Sequence, residues 1–141
     1  MSKTISALKT IYQDLCERGE IDNVQKYSDD LLKQFSNKSF LDKIRSKTDG
    51  KFIKVSTEFN HEFYYKSNSN TCYAIYTYKC LNGETVKIAY IGQSDGLYPP
   101  SWDQIGYCGS DNKIHDKHYI WLNNPILQFV SWYDNISLDS D

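Results

Sequence analysis

Near the end of the chain, Lys113-Ile114-His115-Asp116-Lys117-His118 sets two imidazoles three residues apart around a carboxylate. On a helix His115 and His118 would share a face, where they could hold a divalent metal or act as a base and its partner. Cys108 precedes His115 and would add a thiolate. No Cys-x-x-Cys pair occurs, and the spacing of Cys72, Cys80 and Cys108 fits no usual zinc pattern, so no metal is assigned and a solvated polar loop is the plainer reading. His61-Glu62, beside Phe63-Tyr64-Tyr65, could do acid–base work, but no nucleophile or partner can be named for it. Gly92-Gln93-Ser94-Asp95-Gly96 lacks the Gly-Lys-Ser/Thr ending of a phosphate-binding loop and reads as a turn.

A second group of residues lies in two β-rich runs. Tyr73-Ala74-Ile75-Tyr76-Thr77-Tyr78-Lys79-Cys80-Leu81-Asn82-Gly83, followed by Tyr90-Ile91-Gly92-Gln93-Ser94, resembles the signature hairpin of the GIY-YIG endonuclease family. Ile75-Tyr76 stands for the first half of the signature and Tyr90-Ile91-Gly92 for the second. The resemblance is confined to residues 73–94. It implies hydrolysis of DNA phosphodiesters assisted by Mg²⁺ or Mn²⁺, with Tyr76 and Tyr90 in the site. It also implies an arginine on the following helix to neutralise phosphate charge and a distal glutamate to hold the metal. The chain departs from that pattern, since no arginine follows Arg45 and no glutamate follows Glu84. Lys113 or Lys117 would have to replace the arginine and Asp134 or Asp139 the glutamate, with His115 and His118 as further substitutes. A lysine lacks the bidentate fork of arginine, and aspartate is one methylene shorter.

Aromatic residues suggest a different kind of site. Tyr98, Trp102, Tyr107, Tyr119, Trp121, Phe129, Trp132 and Tyr133 fall in a stretch holding only two basic side chains, Lys113 and Lys117. Tyrosine and tryptophan dominate interface hot spots because they give large contact area at low entropic cost. Each of them could equally be core. Taken together with Asp103 and Asp111, residues Tyr98, Trp102, Tyr107, Trp121 and Trp132 are expected to form an acidic, aromatic binding surface.

The charge distribution bears on the partner. The 141 residues carry a net charge of −2, and from Gly92 onward two lysines face seven aspartates and no glutamate. Nucleic-acid surfaces need the opposite balance, because cations that neutralise phosphates supply most of the affinity. A protein partner is therefore expected, with nucleic acid reserved for the nuclease reading. The start of the chain reads as an amphipathic segment with no export signal, and no apolar run is long enough to span a bilayer. The four cysteines read as free thiols, and the expected location is cytoplasmic.

The elements that must position these residues divide the chain in two. Residues 1–48 read as helices. Ile5, Leu8, Ile11, Tyr12, Leu15 and Cys16 recur at helical spacing before Gly19. Asp22 and Gln25 look like a capping box opening a second helix with Val24, Tyr27, Leu31, Leu32 and Phe35 inward. A third helix is expected from Ser39 to about Lys47, with Phe40, Leu41 and Ile44 as its apolar face. From Lys51 to Asp141 the pattern is sheet-rich. Strands are expected at Lys51–Thr57, Glu62–Lys66, Tyr73–Cys80 and Val86–Ile91, the last two joined through Asn82-Gly83. Residues 92–112 read as a long loop, and Tyr119–Tyr133 as strand or helix.

The expected fold is thus one α+β domain, residues 1–141, with N-terminal helices packed on a mainly antiparallel sheet. No complete catalytic set is present. The expected function is a non-catalytic intracellular binding protein of inhibitor, immunity or counter-defence type, requiring no cofactor. The alternative is a diverged GIY-YIG-like nuclease.

Overall fold

In the computed structural model, the described residues are 2–23, 37–46, 51–58, 61–66, 69–96 and 101–122. The second helix expected after Asp22 falls mostly outside them, as do Tyr98, Phe129, Trp132, Tyr133, Asp134 and Asp139.

Helix α1 (Lys3–Arg18) starts where Ser2 Oγ accepts the Ile5 N–H at 3.2 Å. It stops at Gly19, whose φ of 65° lets the Gly19 and Glu20 N–H groups return to the last-turn carbonyls. Its buried stripe is Thr4, Ala7, Leu8, Ile11 and Leu15, whereas Cys16 is exposed. Helix α2 (Lys38–Arg45) is capped by the Asn37 side chain on Phe40 N–H at 3.2 Å and buries Leu41 and Ile44. Lys43 and Arg45 lie in its last turn, where they complement the negative end of the helix dipole.

Among the described residues, six strands form one sheet: β1 (Ile53–Glu58), β2 (His61–Lys66), β3 (Thr71–Lys79), β4 (Thr85–Gln93), β5 (Ser101–Cys108) and β6 (Ile114–Leu122). Their spatial order follows the chain, and every neighbouring pair is antiparallel. The fold is α+β, as the helical and alternating halves of the sequence indicate. The β3–β4 hairpin turns through Leu81-Asn82-Gly83. Gly83 at φ 89° bonds back to Cys80 O at 2.9 Å, and Cys80 N–H bonds Glu84 O at 2.8 Å. The β5–β6 hairpin repeats the device with Asn112 at φ 58°.

The expected loop over 92–112 is therefore corrected, because residues 101–108 are a strand. β-Bulges hid it. Across β4, Ile91 pairs with Gln104 and Gly92 with Trp102, so Asp103 is an extra residue in β5 and Trp102 and Ile105 reach the same face three apart. β6 carries two further irregularities against β5. Period-two alternation, the usual mark of a strand, is lost in both.

Both described helices cover one face of the sheet. The core between them holds Leu8, Ile11, Leu15, Leu41, Tyr65, Ile88, Tyr90, Trp102 and Ile105, each almost completely buried. A latch of side chains joins α1 to the far edge. Thr4 Oγ1 accepts the Tyr107 N–H at 2.9 Å and donates to Asp116 O at 2.7 Å. The Asp116 carboxylate accepts Thr4 N–H at 3.0 Å and the Ser2 hydroxyl. At the other end, Asp14 accepts the Tyr78 hydroxyl at 2.5 Å and the Leu81 N–H at 3.2 Å. Among the described residues, no helix is long and apolar enough to cross a membrane.

Candidate functional site

The hairpin does bring Tyr76 and Tyr90 to one face. Register pairs Tyr76 with Ile88 and Tyr90 with Ala74, making the two tyrosines diagonal neighbours. That face is the one under the helices. Tyr90 is 2% exposed and stands edge-on to Trp102 at 6.3 Å, and Tyr76 is 5% exposed and stacks on His61 at 4.5 Å. Burial pushes both hydroxyls well above the usual tyrosine value, so neither is poised to give up a proton.

The two histidines lie on β6, not on a helix. Asp116 at φ 55° interrupts the alternation, so His115 pairs with Tyr107 and His118 with Ile105, both on the helix-bearing side. Each has its own carboxylate. His115 Nε2 is 3.1 Å from Asp111, while His118 Nε2 lies 3.1 Å from Ser2 Oγ and 3.8 Å from Asp116. Ser2, His118 and Asp116 have the residue types of a nucleophilic triad but not its connectivity. Ser2 spends its oxygen capping α1 and its proton on Asp116, so the imidazole does not relay between them. The Asp116 carboxyl is held down to about 2, first by the Ser2 hydroxyl and then by Thr4 N–H, with His118 adding to it. Among the described residues, no group of three His, Cys, Asp or Glu side chains is placed to hold a metal.

The acidic, aromatic surface expected from composition is not assembled among the described residues. Trp102 is a core residue with no exposed surface, because the bulge at Asp103 turns it under the helices. Tyr107 is half-buried with Lys3 Nζ 5.8 Å from its ring. Asp103 is half-buried, and Asp111 is engaged in the β5–β6 turn with Lys113 N–H and His115. Only the backbone of Trp121, within β6, is described.

The opposite face of the sheet carries a groove of about 590 Å³ that, of the candidate site residues above, only Lys113 and Lys117 line. Its walls come from Phe52 before β1, Tyr64 on β2, Tyr73 and Ile75 on β3, and Ile91 on β4. Asn112, Lys113, Ile114 and Lys117 close its other side. A smaller cluster of Ile75, Ala89 and Cys108, with Tyr64, Tyr73 and Ile114 against it, forms the floor. The rings are pinned by their polar ends. Tyr64 donates to Glu62 at 2.6 Å, Tyr73 donates to Asn112 O at 2.9 Å, and the two rings meet edge-to-face at 5.9 Å. That bond to Glu62, with burial second, pushes the Tyr64 hydroxyl up to about 12.

Lysines surround this groove. Lys113 and Lys117 line it, and Lys54 stands opposite Tyr64 on the same face. Lys66 Nζ lies 5.8 Å from the Phe52 ring, and Lys87 donates to Asn112 Oδ1 at 3.4 Å. The two lysines of the acidic C-terminal third thus both point at the groove. Of that third's aspartates, Asp116 is tied to α1 and Asp111 to its own turn. Segment-averaged charge gives the wrong sign for this surface. The signal that could have found it is parity: Glu62, Tyr64 and Lys66, like Tyr73, Ile75 and Thr77, are alternate residues of adjacent strands.

No protein-family model, curated protein or solved structure matches this chain.

Proposed function

We propose that the protein is a non-catalytic binding protein of inhibitor, immunity or counter-defence type, acting in the cytoplasm by stoichiometric capture of another protein. The observation that carries this reading is the sheet face that neither described helix covers. Three aromatic rings and three isoleucines line a groove there, and Phe52 remains 44% exposed at its mouth. Apolar surface of this kind, rimmed by polar groups, marks interaction sites. We therefore propose this face, in place of the acidic C-terminal patch expected from composition, as the binding surface.

The nuclease alternative draws on one observation, the β3–β4 hairpin that sets Tyr76 and Tyr90 on a common face. Against it stands their burial. A tyrosine that activates water must reach solvent and substrate, and these two pack on His61 and Trp102.

Two assays test the reading. Wild-type protein and an Ile91→Glu variant, with matched unfolding midpoints, are immobilised and exposed to host lysate. The reading expects a stoichiometric complex with the wild type that the variant fails to form. It is overturned if no complex forms, or if the variant captures the same protein equally. In parallel, supercoiled DNA is incubated with Mg²⁺ or Mn²⁺, and metal-dependent cutting that Tyr90→Phe abolishes would establish the nuclease instead.

A further inference from the structure

We propose that the groove on the open sheet face receives an acidic, apolar segment of its protein partner, an inference that rests on the binding reading above. The lining specifies both halves of that chemistry. Ile91 and Ile114, half-buried over the floor that Ile75 completes, offer hydrocarbon that only apolar side chains can cover without stranding polar groups. Around them the charge is cationic, although the chain as a whole is net negative. The carboxylates near the groove, Glu62 and Asp111, are already engaged by the Tyr64 hydroxyl and by Lys113 N–H and His115.

The register also sets a spacing. Lys66 pairs with Thr71, and Lys87 pairs with Thr77, on either side of Tyr73 and Ile75 along β3. Those two positions are separated by about 20 Å at roughly 3.4 Å per strand residue. A matching segment carries carboxylates at both ends of an apolar stretch of about that length. Complementary charge of this kind orients the partner and rejects basic competitors.

A single-stranded nucleic acid fits the same surface less well. Stacking of bases needs ring faces laid open, whereas Tyr64 and Tyr73 meet edge-to-face with their planes 64° apart.

The test is a selection of random linear displayed peptides on the full-length protein, with a pool of random single-stranded DNA run in parallel. The expected winners place Asp or Glu on both sides of Leu, Ile or Phe, and added salt weakens them. A Lys66→Glu/Lys87→Glu variant should bind them about tenfold more weakly, as two rim attractions become repulsions. Ile91→Glu should abolish binding, and unfolding midpoints show whether either variant has lost its fold. The proposal is overturned if the selected peptides are basic or uncharged, if none is selected, if both variants bind them unchanged, or if the DNA pool is retained through this face. Should the lysate complex fail with Ile91→Glu but survive the lysine reversals, the binding reading stands and the acidic partner falls.

Discussion

Asp116 offers the sharpest test of how α1 is held to the sheet. Its carboxylate accepts Thr4 N–H at 3.0 Å and the Ser2 hydroxyl, so it serves the helix N-terminus from a different element. The carboxyl falls from the ordinary 3.8 to about 2. Taken at face value that shift corresponds to roughly 2 to 3 kcal/mol, but the side chain is 37% exposed. Screening by water and salt reduces the expected contribution to about 1 kcal/mol. Because the folded-state value is depressed, this stability is fully present above 3.8 and is lost as pH falls towards 2. Asp116→Asn keeps a residue that tolerates φ 55° and removes only the charge. It should cost about 1 kcal/mol at neutral pH, with the deficit shrinking below 3.8. Asp116→Ala adds left-handed strain and should cost roughly 1 kcal/mol more. Urea unfolding followed by tryptophan fluorescence, repeated across the acid range, measures both. Equal stability of wild type and Asp116→Asn at neutral pH, or a deficit that does not change with pH, would refute the latch.

Two glycines should respond differently to alanine. A Cβ at Gly106 would sit 2.2 Å from Ile114 Cγ2 and 2.7 Å from His115 O, so Gly106→Ala should force β5 from β6 and cost about 2 kcal/mol or more. At Gly83 nothing lies within 4 Å, and only the positive φ is penalised, so Gly83→Ala should cost about 1 kcal/mol. Denaturant midpoints that rank the two the other way would contradict the register of the last hairpin. Alkali should unfold the protein cooperatively. Burial raises the hydroxyls of Tyr65, Tyr73, Tyr76, Tyr78 and Tyr90 above 10.0, so the stability they lend is complete below that value and is lost as pH climbs through their folded values. Tyrosine absorbance and circular dichroism should therefore change together, and free titration of these phenols in an intact fold would overturn the burial argument.

Much of the fold is legible in the residues. Ser2 and Gly19 bound α1, Leu41 and Ile44 mark α2, and Asn82-Gly83 locates the central hairpin. β5 is not legible, because alternation is the signal for a strand and the bulge at Asp103 removes it. Gly109-Ser110-Asp111-Asn112 did carry turn chemistry, and two flanking strands would have followed from it. The groove is harder to see. It is built from nine residues of five segments, none of which forms a local motif, and its charge opposes that of the segment supplying Lys113 and Lys117.

What divides core from site is the parity of each residue along its strand. Tyr64 and Tyr65 are adjacent, and Tyr73 and Tyr76 are three apart, so each pair splits between the two faces. Composition counts all four as the same aromatic richness, yet Tyr65 and Tyr76 belong to the core and Tyr64 and Tyr73 to the groove. Amphipathic N-terminal helices imply that one face of a single sheet is covered, but they do not say which. That choice is made by long-range contacts, with Ser2 and Thr4 held by Asp116 at one edge and Asp14 by Tyr78 near the central hairpin. Once α1 is held there, the tyrosines that resemble catalytic residues are sealed, and the binding chemistry proposed above falls to the face that neither described helix covers.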